Sequence, residues 1–328
     1  MRRFLSALFS LALLCASAAQ AAGANPAVPA PDAAPPAAPQ TVPAPASIPL
    51  PALTAEIRPG DALLVRVPRP ETGASSGEAV LRSPTGTVLQ RAAGFRLGPD
   101  PGWTAFVFGL PTDAPAGIYI VEIPGGPGIL PALSRRSVTV RPRDFLAEDI
   151  PLNQNLTTLR AEPSPRKEAE ARAYAEILGR VDPEGIWLDG PFLRPVASER
   201  RTSLFGDRRR YLYATGGTAS AIHAGIDFAA PTGTPVTAAG RGRVVLAADR
   251  EVTGKTVILE HLPGVYTIYM HLDALSVAAG AVLERGVRLG TVGSTGLATG
   301  PHLHWELRVR GVACDPETPA FAVFPAGP

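Results

Sequence analysis

Four of the chain's five histidines fall in the arrangement His223-Ala-Gly-Ile-Asp227, then His271, then His302-Leu303-His304. His302 and His304 sit in Gly-Pro-His-Leu-His-Trp-Glu-Leu-Arg-Val, a run whose alternating apolar residues predict a strand. Residues i and i+2 of a strand share a face, so both imidazoles point the same way. Zn2+ takes neutral imidazole nitrogen and carboxylate oxygen, and its catalytic sites use three protein ligands with the fourth position left to water. His223, Asp227 and one histidine of the His302/His304 pair supply such a set, and the remaining histidines are free for acid/base work. A lone histidine is most often a surface or satisfied core residue. His261, before Leu262-Pro263-Gly264 at an expected hairpin turn, is read that way.

The stretch from about Phe205 to Pro316 resembles the peptidase M23 family, the lysostaphin- and LytM-like zinc metallopeptidases that cut the peptide part of bacterial peptidoglycan. The motifs that carry the resemblance begin with Phe205-Gly206 and the arginines just after it, then His223-Ala-Gly-Ile-Asp227-Phe-Ala-Ala-Pro231-Thr-Gly233-Thr-Pro235-Val. Tyr269-Met-His271-Leu, Gly290-Thr-Val-Gly293-Ser-Thr-Gly296 and Thr299-Gly300-Pro301-His302-Leu-His304-Trp-Glu306 follow. The resemblance implies that His223, Asp227 and His304 bind zinc, and that His271 and His302 are the non-ligand histidines that handle the water and the developing oxyanion. The chemistry agrees, since a metal brings the pKa of its water down to about 7 and polarises a carbonyl. The implied substrate is a stem peptide or cross-link of peptidoglycan, with the bond itself unnamed.

Some M23-like proteins have lost zinc ligands and act as binding modules that activate cell-wall amidases. The presence of His223, Asp227, His271, His302 and His304 together favours an active zinc metalloendopeptidase over that alternative, and no motif names a cell-division or amidase partner. Glu306 continues the His302/His304 face, either as a hydrogen-bond acceptor for an imidazole or as an exposed strand carboxylate. Asp273 is expected to cap a loop rather than orient His271. Cys314 is expected to be a small buried hydrophobe rather than a further ligand. The Gly-x-Val patterns between Gly280 and Gly293 also occur in biotinyl and lipoyl carrier barrels, but Lys255 lacks the flanking residues of a carrier lysine.

The elements that must position these residues lie in a chain of 328 residues with a changing composition. Met1-Arg2-Arg3, the apolar run from Phe4 to Leu14 and the small residues Ala19-Gln20-Ala21 predict a signal peptide over 1–21, hence an exported protein of the periplasm or cell envelope. That apolar run is too short to span a bilayer, and no other segment reaches transmembrane length. Loss of residues 1–21 removes Arg2 and Arg3 and no acid, which takes the 31 basic side chains to 29, against 29 acidic ones. A near-neutral balance argues against a nucleic-acid partner, which needs a dominant basic face.

Residues 22–53 read as a Pro/Ala-rich linker. Residues 54–143 hold short strands with a hairpin turn at Ser83-Pro-Thr-Gly86, and predict a β-sandwich of immunoglobulin-like build. Residues 144–200 read as a connector with one helix, bounded by Ser164 as N-cap, Pro165 at the first helical position and Gly179. Within it, Asn153 and Asn155 are candidates to cover the zinc, as an upstream segment does in latent relatives. Residues 201–328 are the expected M23 peptidase domain. The predicted fold class is therefore all-β: two β domains, an immunoglobulin-like sandwich and an antiparallel, barrel-like peptidase sheet, joined by a helical connector.

Overall fold

The computed structural model describes residues 52–68, 77–97, 102–123 and 134–322, so the expected signal peptide and nearly all of the Pro/Ala-rich linker lie outside the described residues. The first strands are β1 (Ala52–Ile57), β2 (Ala62–Pro68), β3 (Glu78–Arg82), β4 (Val88–Ala93), β5 (Phe95–Leu97), β6 (Trp103–Gly109), β7 (Gly117–Glu122) and β8 (Arg135–Val140). They form a five-stranded sheet in the order β1-β8-β7-β3-β4 and a three-stranded sheet in the order β2-β6-β5. The turn between β3 and β4 is the expected one, with Gly86 N–H donating to Ser83 O and Gly86 at φ 86°.

The apolar runs at 62–65 in β2 and 105–108 in β6 have no polar alternation because both of their faces are covered. Leu63, Val65, Val67, Phe106 and Phe108 point into the core shared with the five-stranded sheet. Ala62, Ala105 and Val107 point the other way, into a core with Leu262, Val265, Leu307, Val309 and Cys314 of the C-terminal region. A strand buried on both sides reads as a continuous hydrophobic run. Arg143 strengthens this junction by pairing with Asp61 (3.4 Å) and Asp315 (2.5 Å). Cys314 is fully buried there, as a packing residue.

The connector contains more than the single expected helix. It comprises β9 (Ala147–Pro151), α1 (Gln154–Ala161) and α2 (Pro165–Gly179). The sequence Gln-Asn-Leu-Thr-Thr-Leu-Arg-Ala gives α1 a weak apolar stripe and two β-branched threonines. Tertiary contacts hold it instead: Arg160 stacks 3.8 Å above the Tyr211 ring, and the buried Thr157 hydroxyl accepts from Ala214 N–H at 3.0 Å. Asn153 is the α1 N-cap, accepting from Leu156 N–H at 2.9 Å, so its side chain is committed locally. Helix α2 starts as the sequence predicts, with Ser164 as N-cap and Pro165 at N1.

The C-terminal strands are β10 (Arg201–Ser203), β11 (Arg208–Leu212), β12 (Thr218–Ile222), β13 (Gly225–Ala229), β14 (Pro235–Thr237), β15 (Gly242–Arg250), β16 (Gly254–Leu262) and β17 (Val265–Leu275), then β18 (Val282–Leu283), β19 (Arg288–Val292), β20 (His302–Val309) and β21 (Val312–Cys314), with the short α3 (Pro319–Ala322). The main sheet runs β10-β13-β20-β17-β16-β15-β18, and its β13, β20, β17 and β16 are antiparallel neighbours. β9 adds to β11 in parallel, making a small sheet β12-β11-β9.

Alternation divides the main sheet into two faces. Val257, Leu259, Tyr269, Leu303 and Trp305 pack into the principal core. Ile258, Tyr266, Ile268 and Met270 lie on the other face under Leu178, Tyr174 and Ile177 of α2. In register, Met270 stands opposite His304, Ile268 opposite Glu306 and Tyr266 opposite Arg308. The face that α2 covers is thus continuous with the face that carries His302 and His304.

Candidate metal centre and active site

His223 lies in the two-residue connection between β12 and β13. Its backbone is clamped by Gly206 N–H, which donates to His223 O at 2.8 Å, and by its own N–H donating to Asp207 O at 2.9 Å. This explains the Phe205-Gly206 pair: Gly206 has φ 85°, and a Cβ there would strike the Phe145 ring. Two residues after His223, Gly225 lets β13 press against β20, since a Cβ would sit 2.3 Å from Trp305 O. That close pairing sets Asp227 directly opposite His304.

The side chains converge. His223 Nε2 is 2.9 Å from His304 Nδ1 and 3.2 Å from Asp227 Oδ1, and His304 Nδ1 is 2.7 Å from the same oxygen. All three residues are buried. The outer nitrogens are already committed: His223 Nδ1 donates to Leu204 O at 2.7 Å and His304 Nε2 donates to Glu306 Oε1 at 2.9 Å. When neutral, a ring whose outer N–H is engaged presents the lone pair of its inner nitrogen, which is the form that ligates a metal. Asp227 Oδ2 accepts from Arg209 Nη2, leaving Oδ1 as the inward donor.

Two inward imidazole nitrogens and one inward carboxylate oxygen, all within 4.8 Å of one another, could hold a divalent ion such as zinc. A tetrahedral ion with bonds of about 2.0–2.1 Å holds its donors about 3.4 Å apart, so small side-chain movements accommodate it. The protein alone already shows the electrostatic pull. Burial disfavours charge on His304, yet Asp227 and Glu306 outweigh it and raise its pKa to about 9. Burial likewise works against the Asp227 carboxylate, but His304 and His223 hold its pKa well below the usual range. For His223 burial prevails and lowers the pKa.

His271 and His302 stand beside this triad with ring centroids 4.9 Å apart. His302 Nε2 lies 3.7 Å from Asp227 Oδ1. Each of these two rings donates Nδ1–H to a backbone carbonyl, His271 to Thr295 O and His302 to Gly300 O, both at 2.8 Å. Their Nε2 atoms are therefore the free ends. Strict alternation along β17 would put His271 on the Tyr269 side, in the core. Instead His271 adopts φ 61°, an uncommon conformation for a non-glycine residue, and its N–H donates to Thr253 O at 3.0 Å. This kink turns its ring toward His302. Burial first, then the neighbouring His302 and His304, push the His271 pKa down to about 3.

The structure thus brings His223, Asp227, His271, His302 and His304 together. Glu306 is the hydrogen-bond acceptor rather than an exposed carboxylate, being 4% exposed. Asp273 makes no bond to His271, whose ring is oriented by Thr295. His261 is buried, with Nδ1 2.7 Å from Arg241 O and Nε2 2.7 Å from Thr267 Oγ1. Arg209 and Tyr174, whose hydroxyl donates to Glu306 Oε2 at 2.9 Å, were not singled out from the sequence. Arg209 had a trace there, as one of the arginines after Phe205-Gly206. Tyr174 had none beyond its place on the apolar side of α2.

Residues 221–316 match Peptidase family M23. The DD-carboxypeptidase/endopeptidase Mpg of Neisseria meningitidis is 41% identical over 129 residues, 39% of this chain and 29% of that protein. The peptidoglycan DD-endopeptidase ShyA of Vibrio cholerae is 42% identical over 144 residues, 43% of this chain and 33% of that protein. The chain thus spans about a third of the length of the curated relatives it matches. A Pseudomonas aeruginosa protein described as a peptidase M23 superposes with a TM-score of 0.55 at 24% identity, covering 81% of this chain and 96% of that one, which establishes a shared fold. The stretch 221–316 that matches peptidase family M23 thus contains the whole of the converging His/Asp/His set.

Proposed function

We propose that the chain is an exported zinc metalloendopeptidase that hydrolyses peptide bonds in peptidoglycan. The observation that carries this reading is the inward convergence of His223 Nε2, Asp227 Oδ1 and His304 Nδ1, with two non-ligand imidazoles beside them. His223, Asp227 and His304 are the residues that would hold zinc. When bound, zinc supplies a Lewis acid that activates water near neutral pH and polarises the scissile carbonyl. One of His271 and His302 accepts the water proton at Nε2 as the oxygen adds to the carbonyl carbon. The other, protonated on both nitrogens, donates its Nε2–H to the developing oxyanion. The proton then passes to the amine as the C–N bond breaks. The backbone carbonyls of Thr295 and Gly300 keep both rings in the orientation that exposes Nε2.

Peptidoglycan as substrate is supported by the names of the Neisseria and Vibrio relatives, and the N-terminal charged, apolar and small-residue succession supports export. Among the described residues, no helix is long and apolar enough to cross a membrane. The complete set of two histidines and one aspartate, with both further histidines in place, favours hydrolysis over a non-catalytic module that activates amidases. Digestion of purified sacculi with and without a chelator, followed by mass analysis of the released muropeptides, tests the proposal. Chelator-sensitive release is expected; a protein that retained no zinc and released nothing would overturn it.

A further inference from the structure

The two histidines of the proposed metal set are held differently from behind. His223 donates to Leu204 O, a backbone carbonyl that the chain itself keeps in place. His304 donates to Glu306, a side chain with rotamer freedom that must be fixed by something else. Glu306 Oε2 accepts from Arg308 Nε at 2.7 Å and from the Tyr174 hydroxyl at 2.9 Å. The Tyr174 ring is gripped in turn by the guanidinium groups of Arg250 and Arg308, 5.0 and 5.9 Å from its centroid. Arg250 is tied to α2 again through Glu170 O at 2.8 Å. Tyr174 belongs to α2, which lies outside the residues 221–316 matched to the family.

We propose that Tyr174 is a positioning residue of the metal centre, by which the connector helix holds Glu306 in the orientation that receives His304 Nε2–H. That hydrogen bond fixes the ring so that His304 Nδ1, the nitrogen that would bind a metal, faces Asp227 and His223. A buried carboxylate keeps its place only while its lone pairs are satisfied. Without the Tyr174 hydroxyl, Glu306 is free to turn toward Arg308 and loosen from His304. The inference rests on the proposed reading of His304 as a metal ligand. Loss of a partner directly behind a ligating histidine weakens metal affinity about 10–100-fold. Tyr174 stands one hydrogen bond further out, so its loss is expected to weaken zinc binding about 3–10-fold.

The test uses the full chain and measures zinc affinity by competition with a chromophoric chelator, along with the visible spectrum of the cobalt-substituted protein. Tyr174→Phe keeps the ring and removes only the hydroxyl; it should weaken zinc binding and shift the cobalt bands. Ile177→Ala loosens the packing of α2 without touching Glu306; it should lower Tm and leave zinc affinity unchanged. Wild-type affinity in Tyr174→Phe would overturn the proposal, as would an equal loss in Ile177→Ala, which would show the helix acting through packing alone. If the wild-type protein itself binds no zinc, the metal reading fails first and this inference with it.

Discussion

The single buried His261 and the buried pair His223 and His304 differ in what their nitrogens are committed to. At His261, Nδ1 meets Arg241 O and Nε2 meets Thr267 Oγ1, both at 2.7 Å, and the Thr267 hydroxyl donates onward to the Tyr269 oxygen at 2.9 Å. Both nitrogens are occupied, no carboxylate touches the ring, and burial pushes its pKa down to about 4. At His223 and His304 the outer nitrogens are held by Leu204 O and Glu306, while the inner ones converge on one another and on Asp227. Burial alone does not separate structural histidines from functional ones. What sets the His223/His304 pair apart is that their inner nitrogens converge with a carboxylate oxygen on one point.

The strongest test of this contrast removes an inward donor. Asp227→Ala or His304→Ala should abolish zinc retention and reduce muropeptide release by about 10⁴-fold, whereas His261→Gln should keep both. Equal losses at the two sites would erase the distinction. Next in size, His271→Ala or His302→Ala should lower hydrolysis by about 10³-fold with zinc still bound. Near wild-type rates in both variants would show that neither ring moves a proton.

The third expectation concerns pH. His261 has a folded pKa near 4 against 6.5 for the free side chain. The unfolded chain therefore takes up a proton that the folded chain refuses, so stability falls as pH drops from about 6.5 and levels off below about 4. The full effect is about 3 kcal/mol, from about 1.4 kcal/mol per pKa unit. Denaturant unfolding of wild type and His261→Gln across that range isolates it, because the slope assigned to His261 should vanish in the variant. The smallest effect belongs to Arg209→Gln. Losing the cation on Asp227 Oδ2 should weaken zinc affinity about tenfold, read by chelator competition, with little change in Tm if the carboxylate re-pairs with water.

Much of the site was legible because its geometry is local. His302 and His304 share a face through the two-residue period of a strand, and the His-x3-Asp spacing spans a turn into a paired strand whose Gly225 permits the close approach. The β character of the chain was legible for the same reason. Less legible was α1, whose polar sequence is helical because Asn153 caps it and Arg160 and Thr157 find partners on β11 and the turn after it. The role of β2 and β6 as a layer with two buried faces was also hidden, since a continuous apolar run does not say what covers each side.

The sequence by itself determined which side chains could do chemistry here, because residue type and short-range spacing set the ligand atoms and the faces they share. Tertiary structure alone decided which nitrogen of each ring points inward, and that His271 turns out of the core through its kink at φ 61°. The carbonyls of Leu204, Thr295 and Gly300 and the side chains of Arg209 and Tyr174 make those choices. Arg209 reaches Asp227 across 18 residues and Tyr174 reaches Glu306 across 132. Hydrogen bonds over such separations depend on how strands and helix pack, and no local periodicity records that.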